Sequence, residues 1–183
     1  MSDIYDKCYL ICLSNIVIIS KHDKYTYSTR TFLRADVLMG QTIRFRRAVS
    51  KDKPFLLTLR QLTMNDYLKS AGIETSDRYH LSRIDEYFDD SNIIELGEQP
   101  IGLLKLSFIK NNIHIRQFQI MPEFQGQGIG SRILTLTQKK AEERGLGVTL
   151  NVLLANPALA LYQRKGFRVV GQNTLEFQMR WTA

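Results

Sequence analysis

Cysteine is scarce in this chain of 183 residues, which contains only Cys8 and Cys12, both close to the amino terminus. Because no cysteine follows position 12, we expect neither a disulfide framework nor a thiolate metal site in the rest of the chain. The three histidines, His22, His80 and His114, also lack the spacing of metal ligands. We therefore predict that the protein holds no metal and lies in the cytoplasm.

Long hydrophobic runs are also missing. A membrane-spanning helix needs about 18 or more consecutive apolar residues, and the apolar run Cys8–Ser20 is too short. Asp3 and Asp6 precede this run, whereas a signal peptide begins with positive charge. The sequence therefore predicts no interaction with a membrane.

Blocks of basic residues are absent as well. Lys and Arg number 25 against 18 Asp and Glu, a net charge of +7, but no five basic residues stand together. This moderate excess favours an anionic partner, such as a phosphorylated cofactor, a lipid surface or a nucleic acid. Without a basic block, we predict no nucleic-acid partner and keep the phosphorylated cofactor.

The length suits one domain, since domains typically have about 100–200 residues. Residues 1–40 differ from the rest and are interpreted as an amino-terminal extension, either packed on the domain or poorly ordered. A natural start at Met39 is an alternative, because MGQTIRFRRAV has the pattern of a first strand. The domain itself is predicted over residues 41–183.

From residue 41, hydrophobic periodicity predicts the element order β-α-α-β-β-β-α-β-α-β-β. Apolar residues alternate in Thr42–Val49, as in a strand, and recur at helical spacing after Pro54. A second helix is predicted over about Ser76–Phe88, and the amphipathic stretch Gly128–Arg144 predicts a third. This order predicts an α/β fold, with a mixed, mostly antiparallel sheet flanked by helices.

One glycine-rich loop stands out. The segment Gln125–Gly130 (QGQGIG) lies between a predicted strand and an amphipathic helix. Its glycines let the backbone approach a ligand closely, and the amides of the helix N-terminus favour an anion such as pyrophosphate. Arg132, one turn into the helix, is placed to add a charged contact. A purely structural turn is the alternative.

Two known phosphate loops do not match this segment. The P-loop requires Lys followed by Ser or Thr after its last glycine, and here Ser131 and Arg132 follow. The dinucleotide fingerprint has GxGxxG spacing and an acidic residue about twenty positions later. Here the spacing is GxGxG, and Asn151 stands where the acid is expected.

A third pattern matches in two places. The segment Phe118–Pro122 followed by Gln125-x-x-Gly128-x-Gly130 resembles the acyl-CoA motif of the GNAT superfamily of N-acetyltransferases. The strand Leu150–Leu154, then Asn156 and Ala160–Phe167 (ALYQRKGF), is similar to a second block of that superfamily. The resemblance covers roughly residues 43–180 and implies the GNAT fold and acetyl-CoA as co-substrate.

The resemblance also implies roles for individual residues. The backbone groups of three residues are implied to hold the pantetheine arm: Phe118, Gln119 and Ile120. The pyrophosphate is implied to lie against the glycine loop, which consists of Gln125, Gly126, Gln127, Gly128, Ile129 and Gly130, with Ser131 and Arg132 nearby. Asn156 is implied to contact the cofactor as well. Tyr162 is implied as the general acid that protonates the departing thiolate of CoA. Its structural alternative is a packed aromatic residue between a helix and the sheet.

The spacing around Tyr162 departs from many members of the superfamily. Six residues separate Asn156 from Tyr162, where seven are usual, and one residue turns a helix by about 100°. Pro157 favours a shifted helix start that would keep Tyr162 in place.

The general base is left open. Some members have a Glu at the position of Asn151, which cannot take a proton. His114, early on the strand before the glycine loop, matches the position of a base in others, and its ordinary pKa of about 6.5 suits that role. His80 and a relay of water molecules are the alternatives.

These observations together predict an N-acetyltransferase that uses acetyl-CoA and a primary amine in one direct transfer, as a monomer or homodimer. A non-catalytic acyl-CoA sensor or partner-binding module on the same fold is the alternative. The acceptor is open between a small amine, an aminoglycoside-like molecule and a protein amino terminus. The acids within Pro54–Glu95, which shapes acceptor choice in this fold, either attract a cationic amine or are solvated helix faces.

Overall fold

A computed structural model describes residues 36–38 and 41–183 of the chain. Both interpretations of the amino-terminal segment, the extension and the start at Met39, fall largely on residues 1–35 and 39–40, outside the described residues. The division at residue 40 therefore stays a prediction.

The described residues form eight strands and three α-helices of nine or more residues, with a fourth, shorter one. In chain order the elements are β1 (Asp36–Leu38), β2 (Gln41–Arg47), α1 (Lys53–Ser70), α2 (Asp77–Asp85), β3 (Ser91–Leu96), β4 (Gln99–Ile109), β5 (Asn112–Ile120), α3 (Ile129–Glu142), β6 (Gly147–Leu153), α4 (Ala158–Arg164), β7 (Arg168–Gln172) and β8 (Glu176–Trp181). This is the predicted order with the short strand β1 added before it.

The strands form one sheet in the order β1-β2-β3-β4-β5-β6-β8-β7. Every neighbouring pair is antiparallel except β5 and β6, which are parallel. The predicted fold class, a mixed and mostly antiparallel α/β sheet flanked by helices, is confirmed. No helix among the described residues is both long and apolar enough to cross a membrane.

Helices cover both faces of the sheet. Helices α3 and α4 pack over the larger apolar cluster, which includes Leu104, Ile115 and Val152. Helices α1 and α2 pack over a smaller cluster on the other face, which includes Ile93 and Leu103. Successive residues of a strand point to opposite faces, and this alternation assigns each strand residue to one of the two layers.

The parallel pair β5–β6 is short. Asn112–Ile115 of β5 pairs with Gly147–Leu150 of β6, and no pairing between these strands continues beyond it in the described part of the chain. The remaining halves of both strands, which carry Phe118 and Val152, therefore separate and leave a gap in the sheet. This gap positions the candidate site.

The second helix ends earlier than predicted, at Asp85 rather than near Phe88. Glu86 is extended and Tyr87 adopts the left-handed conformation with φ of 52°. The buried Nζ of Lys105 on β4 donates to the carbonyl oxygens of Ile84 at 3.0 Å and Glu86 at 2.7 Å. The last carbonyl groups of a helix have no partner within the helix, and here Lys105 supplies one. The residue that defines the end of α2 therefore lies 19 residues beyond Glu86 in the chain.

Candidate active site

A cleft of about 670 Å³ opens where β5 and β6 separate. Its walls come from the second half of α1, the end of β5, the glycine loop with the start of α3, and α4. They include Leu62, Thr63, Met64, Asp66, Tyr67, Phe118, Gln119, Ile120, Gln125, Gly126, Gly128, Gly130, Ser131, Asn156, Leu161, Tyr162 and Arg164. Because α1 lies on one face of the sheet and α3 and α4 on the other, the cleft is accessible to groups from both faces.

The glycine loop has the shape that its sequence predicts. Gly126 and Gly128 have φ angles of 74° and 79°, in the left-handed region, and Gly128 leads directly into α3. No atom lies within 4 Å of where a Cβ would stand on either glycine, so a ligand can approach the backbone closely. Two amide side chains brace the loop: Gln125 Nε2 donates to the Ile120 carbonyl at 2.7 Å, and Gln127 Nε2 to the Glu123 carbonyl at 2.8 Å.

The start of α3 presents an anion site to the cleft. The helix has 14 residues and no acidic residue in its first turn. Its first backbone hydrogen bond runs from Arg132 N–H to the Gly128 carbonyl, which leaves the preceding amides available at the positive end of the helix dipole. This arrangement suits a phosphate or pyrophosphate.

The end of β5 presents backbone groups to the gap. Phe118, Gln119 and Ile120 pair with β4 on one side, through Leu104, Leu103 and Gly102. On the side of β6 they have no strand partner among the described residues. Alternate residues of a strand direct their backbone groups to opposite edges. The Gln119 carbonyl faces Gly102 of β4, and the Ile120 carbonyl accepts from Gln125 Nε2, so the groups left for the gap are those of Phe118 and the N–H of Ile120. These can pair with an extended ligand as a further strand would.

Tyr162 is buried at the base of the cleft. Only 7% of the residue is exposed, and its ring packs edge-on against Phe167 with centroids 5.8 Å apart. Burial raises the pKa of Tyr162 to about 12, so its hydroxyl is protonated at neutral pH. At that pH the side chain is a hydrogen-bond and proton donor.

The shortened spacing before Tyr162 is accommodated by the helix start. Helix α4 begins at Ala158, with Pro157 as its N-cap, and Asn156 Oδ1 accepts a hydrogen bond from Ala158 N–H at 2.9 Å. Asn156 and Tyr162 both line the cleft in this arrangement.

Not every residue of the predicted site lines the cleft. Ile129 is buried in the apolar cluster under α3, and neither Gln127 nor Arg132 belongs to the walls. The other predicted cofactor residues, from the end of β5, the glycine loop, Ser131 and Asn156, are brought together there.

Both candidate histidines lie outside the cleft walls. His114 is in the paired half of β5, opposite Thr149, and its Nδ1 lies 3.0 Å from Thr149 Oγ1. Burial lowers the pKa of His114 to about 4, and the charge of Arg116 adds to this effect. His80 is fully buried on α2, with Nε2 2.7 Å from Asn65 Oδ1, and burial lowers its pKa as well.

Several residues of the cleft were not predicted as site residues. The wall from α1 carries Met64 and Tyr67 beside Asp66, which is one of the acids that the sequence offered for attracting a cationic amine. Helix α4 contributes Arg164 beside the predicted Tyr162. Nothing in the local sequence marks these residues, because they meet only through the packing of α1 across the sheet. Among the described residues, no group of three or more His, Cys, Asp or Glu is placed to hold a metal ion.

Comparison with known families and structures gives a consistent result. The profile of a family described as "Acetyltransferase (GNAT) domain" matches residues 68–183. A search of curated proteins gave no significant match.

Solved structures share the fold at low sequence identity. PaiA N-acetyltransferase from Thermoplasma acidophilum, in complex with coenzyme A, is 21% identical with a TM-score of 0.61, over 77% of this chain and 99% of that chain. The ribosomal-protein-S18-alanine N-acetyltransferase from Escherichia coli is 17% identical with a TM-score of 0.57, over 76% and 93%. Arabidopsis thaliana Naa50, in complex with the bisubstrate analogue CoA-Ac-MVNAL, is 14% identical with a TM-score of 0.55, over 77% and 99%. At these identities the similarity concerns the fold.

Proposed function

This chain belongs to the GNAT acetyltransferase family, and from that premise we propose that it transfers an acetyl group from acetyl-CoA to the nitrogen of a primary amine. The observation that carries the proposal is the cleft itself. It combines an anion site at the start of α3, a free backbone edge on β5 and a buried hydroxyl on Tyr162.

The cleft fits acetyl-CoA in its chemistry. The amides of Gln125 to Gly130 and of Ser131 hold the pyrophosphate, because the left-handed glycines leave their backbone uncovered. The backbone groups of Phe118 and the N–H of Ile120, which face the gap, pair with the amide groups of the pantetheine arm. Asn156, at the start of α4, contacts the same arm. Arg164, an exposed cation in the wall, adds charge complementarity to the phosphates.

In the reaction, the neutral amine attacks the thioester carbonyl, the new C–N bond forms, and the C–S bond breaks. Tyr162 donates its hydroxyl proton to the sulfur as the thiolate leaves. With a pKa of about 12, the phenol is a weak donor to a thiol of pKa about 8.5, and full transfer would cost about 5 kcal/mol. Burial in the same cleft also raises the pKa of the thiol, and the difference between the pKa values of the phenol and the thiol is therefore smaller than in water.

The route of the acceptor's proton is proposed to be water. His114 and His80 both lie outside the cleft walls, and burial lowers the pKa of each. Of the alternatives that the sequence left open, a water relay is the one that needs neither side chain. The cytoplasmic location and the monomeric or homodimeric state stay predictions.

The test is Tyr162→Phe, assayed by free-thiol release with acetyl-CoA and a panel of small amines and short peptides. The substitution removes one oxygen from a buried ring and leaves its packing on Phe167 intact. We expect kcat to fall about 100-fold or more, and the calorimetric Kd for CoA to stay within about twofold.

The matched control is Tyr87→Phe, because Tyr87 is half exposed and lies outside the cleft walls. An unchanged kcat in Tyr162→Phe would remove Tyr162 from the mechanism. Binding of CoA by the unaltered protein without thiol release from any amine would favour the acyl-CoA sensor instead.

A further inference from the structure

Helix α4, which carries Tyr162, has only seven residues. Isolated helices of fewer than about 12 residues are marginal in water, so the position of α4 depends on the contacts that hold its two ends. Its start is held by Asn156, whose Oδ1 accepts a hydrogen bond from Ala158 N–H. The position of the Tyr162 hydroxyl therefore also depends on what holds the other end.

The C-terminal end of α4 closes in a Schellman motif. Phe167 N–H donates to the Tyr162 carbonyl at 3.0 Å, and the N–H of Gly166, whose φ is 80°, donates to the Gln163 carbonyl at 2.9 Å. The ring of Phe167 packs against that of Tyr162, which is the apolar contact that often accompanies this motif. The motif leaves the carbonyl of Lys165, the C-cap residue, to a donor from outside α4.

That donor is Gln138 on α3. Its Nε2 donates to the Lys165 carbonyl at 2.7 Å, and only 9% of the residue is exposed. About one turn earlier on the same face of α3, Thr135 Oγ1 accepts from Lys165 Nζ at 2.8 Å and donates to the Ser131 carbonyl at 3.1 Å. Two side chains of α3 therefore hold the end of α4, and the Thr135 contact is the exposed one of the two.

These contacts connect the two parts of the cleft that act on the cofactor. The first turn of α3, which includes Ser131, forms the anion site, and α4 carries the hydroxyl of Tyr162. We propose that Gln138 is a positioning residue for Tyr162. Through the Lys165 carbonyl it fixes α4 against α3, and it thereby sets the distance between the phenol hydroxyl and the sulfur of the bound thioester.

This inference rests on the proposed acetyltransferase function, in which Tyr162 donates a proton to that sulfur. Gln138 lies outside the cleft walls, so it acts only through the placement of α4. The effect on the rate can be large, because a misplacement of about 1 Å at a reacting group can cost about 100-fold.

The test is a double-mutant cycle on kcat that consists of Gln138→Met, Tyr162→Phe and their combination. The rate is measured as free-thiol release from acetyl-CoA with the amine of the panel that reacts fastest. Methionine has nearly the length of glutamine and no N–H group, so the Lys165 carbonyl loses this donor.

We expect Gln138→Met alone to lower kcat about tenfold. The calorimetric Kd for CoA should stay within about twofold, because the glycine loop and the edge of β5 are unchanged, and this measurement also shows that the variant is folded. In the Tyr162→Phe background, the same substitution should change kcat less than about twofold, because the hydroxyl that it displaces is already absent.

Gln138→Glu gives a second readout because it keeps the shape of the side chain. The ionised carboxylate cannot donate to the Lys165 carbonyl, whereas the protonated carboxyl can. The ratio of its kcat to that of the unaltered chain should therefore rise as the pH falls through the pKa of the introduced carboxyl. Gln163→Met, on the exposed side of α4 and outside the cleft walls, is the matched control and should leave kcat within about twofold.

Equal losses of kcat from Gln138→Met in the two backgrounds would show that the residue does not act through Tyr162, and would overturn the inference. An unchanged kcat in Gln138→Met, or a ratio for Gln138→Glu that does not depend on pH, would overturn it as well. An unchanged kcat in Tyr162→Phe would refute the proposed role of Tyr162, and this inference with it. A loss in Tyr162→Phe with none in Gln138→Met would refute this inference alone.

Discussion

Lys105 offers the most direct test of how the fold positions the end of α2 against the sheet. The residue is 1% exposed, yet it carries an ammonium group that donates to the carbonyls of Ile84 and Glu86. Lys105 Nζ also donates to the Arg83 carbonyl at 3.3 Å, and Gln117 Nε2 donates to the same carbonyl. Removing the ammonium with Lys105→Met keeps the length of the side chain and leaves the first two carbonyls without this donor.

The expected loss at pH 7 is about 1–3 kcal/mol in the free energy of unfolding. Two buried acceptors lose their donor, which is destabilising. The loss is limited because methionine does not carry the cost of burying a charge. That cost is visible in the pKa of Lys105, which burial lowers from its ordinary value of 10.5 to about 8.

The same shift predicts how the difference depends on pH. Between pH 8 and 10.5 the unfolded chain binds more protons at Lys105 than the folded chain does, so folded-state stability rises with pH in this window. A shift of this size corresponds to about 3 kcal/mol. The Lys105→Met variant lacks this gain. The amount by which its free energy of unfolding falls below that of the unaltered chain should therefore grow by about 2–3 kcal/mol between pH 7 and pH 10.

The assay is urea unfolding at both pH values, followed by the fluorescence of Trp181, the single tryptophan, which packs against the main core. Comparing each variant with the unaltered chain at the same pH cancels the other titrating groups. Lys139→Met, on the exposed surface of α3, is the control and should show no pH-dependent deficit. A deficit for Lys105→Met that stays constant or shrinks at pH 10 would show that the buried ammonium is not the titrating group.

Two further substitutions test particular contacts. Gly102→Ala places a Cβ 2.4 Å from the Gln119 carbonyl oxygen, so β4 and β5 must move apart. We expect the free energy of unfolding, measured by urea titration, to fall by about 1–3 kcal/mol. An unchanged urea midpoint would contradict the close approach of the two strands. His114→Gln should leave kcat within about twofold in the thiol-release assay, because His114 lies outside the cleft walls. A decrease in kcat of tenfold or more, together with an altered pH profile, would identify His114 as the general base.

The order of the elements could be predicted because it depends on local periodicity. Alternation in β5 and helical spacing in α3 are both visible in single segments of the chain. The conformation of the glycine loop was equally accessible, since Gly126 and Gly128 can adopt left-handed angles that other residues rarely do. These features need no information from distant residues.

The end of α2 and the part of the cleft wall that comes from α1 could not be predicted in the same way. Helix α2 stops where Lys105 takes its last carbonyls, and Lys105 belongs to a strand that follows two elements later. Met64 and Tyr67 enter the cleft only because α1 crosses the sheet near the gap. His114 illustrates the same limit, because its distance from the gap depends on the register in which β5 pairs with β6.

The alternation along β5 gives neighbouring residues at the gap different surroundings. Phe118 and Ile120 pack toward α3 and α4, while Gln119 between them points toward α1. The backbone groups of Phe118 and the N–H of Ile120 face the gap, where β6 no longer supplies hydrogen bonds. A change in the Gln119 side chain therefore acts on the layer under α1 and leaves the backbone edge that we assign to the cofactor unaltered. The calorimetric Kd for CoA should consequently change little when only the side chain at this position is replaced.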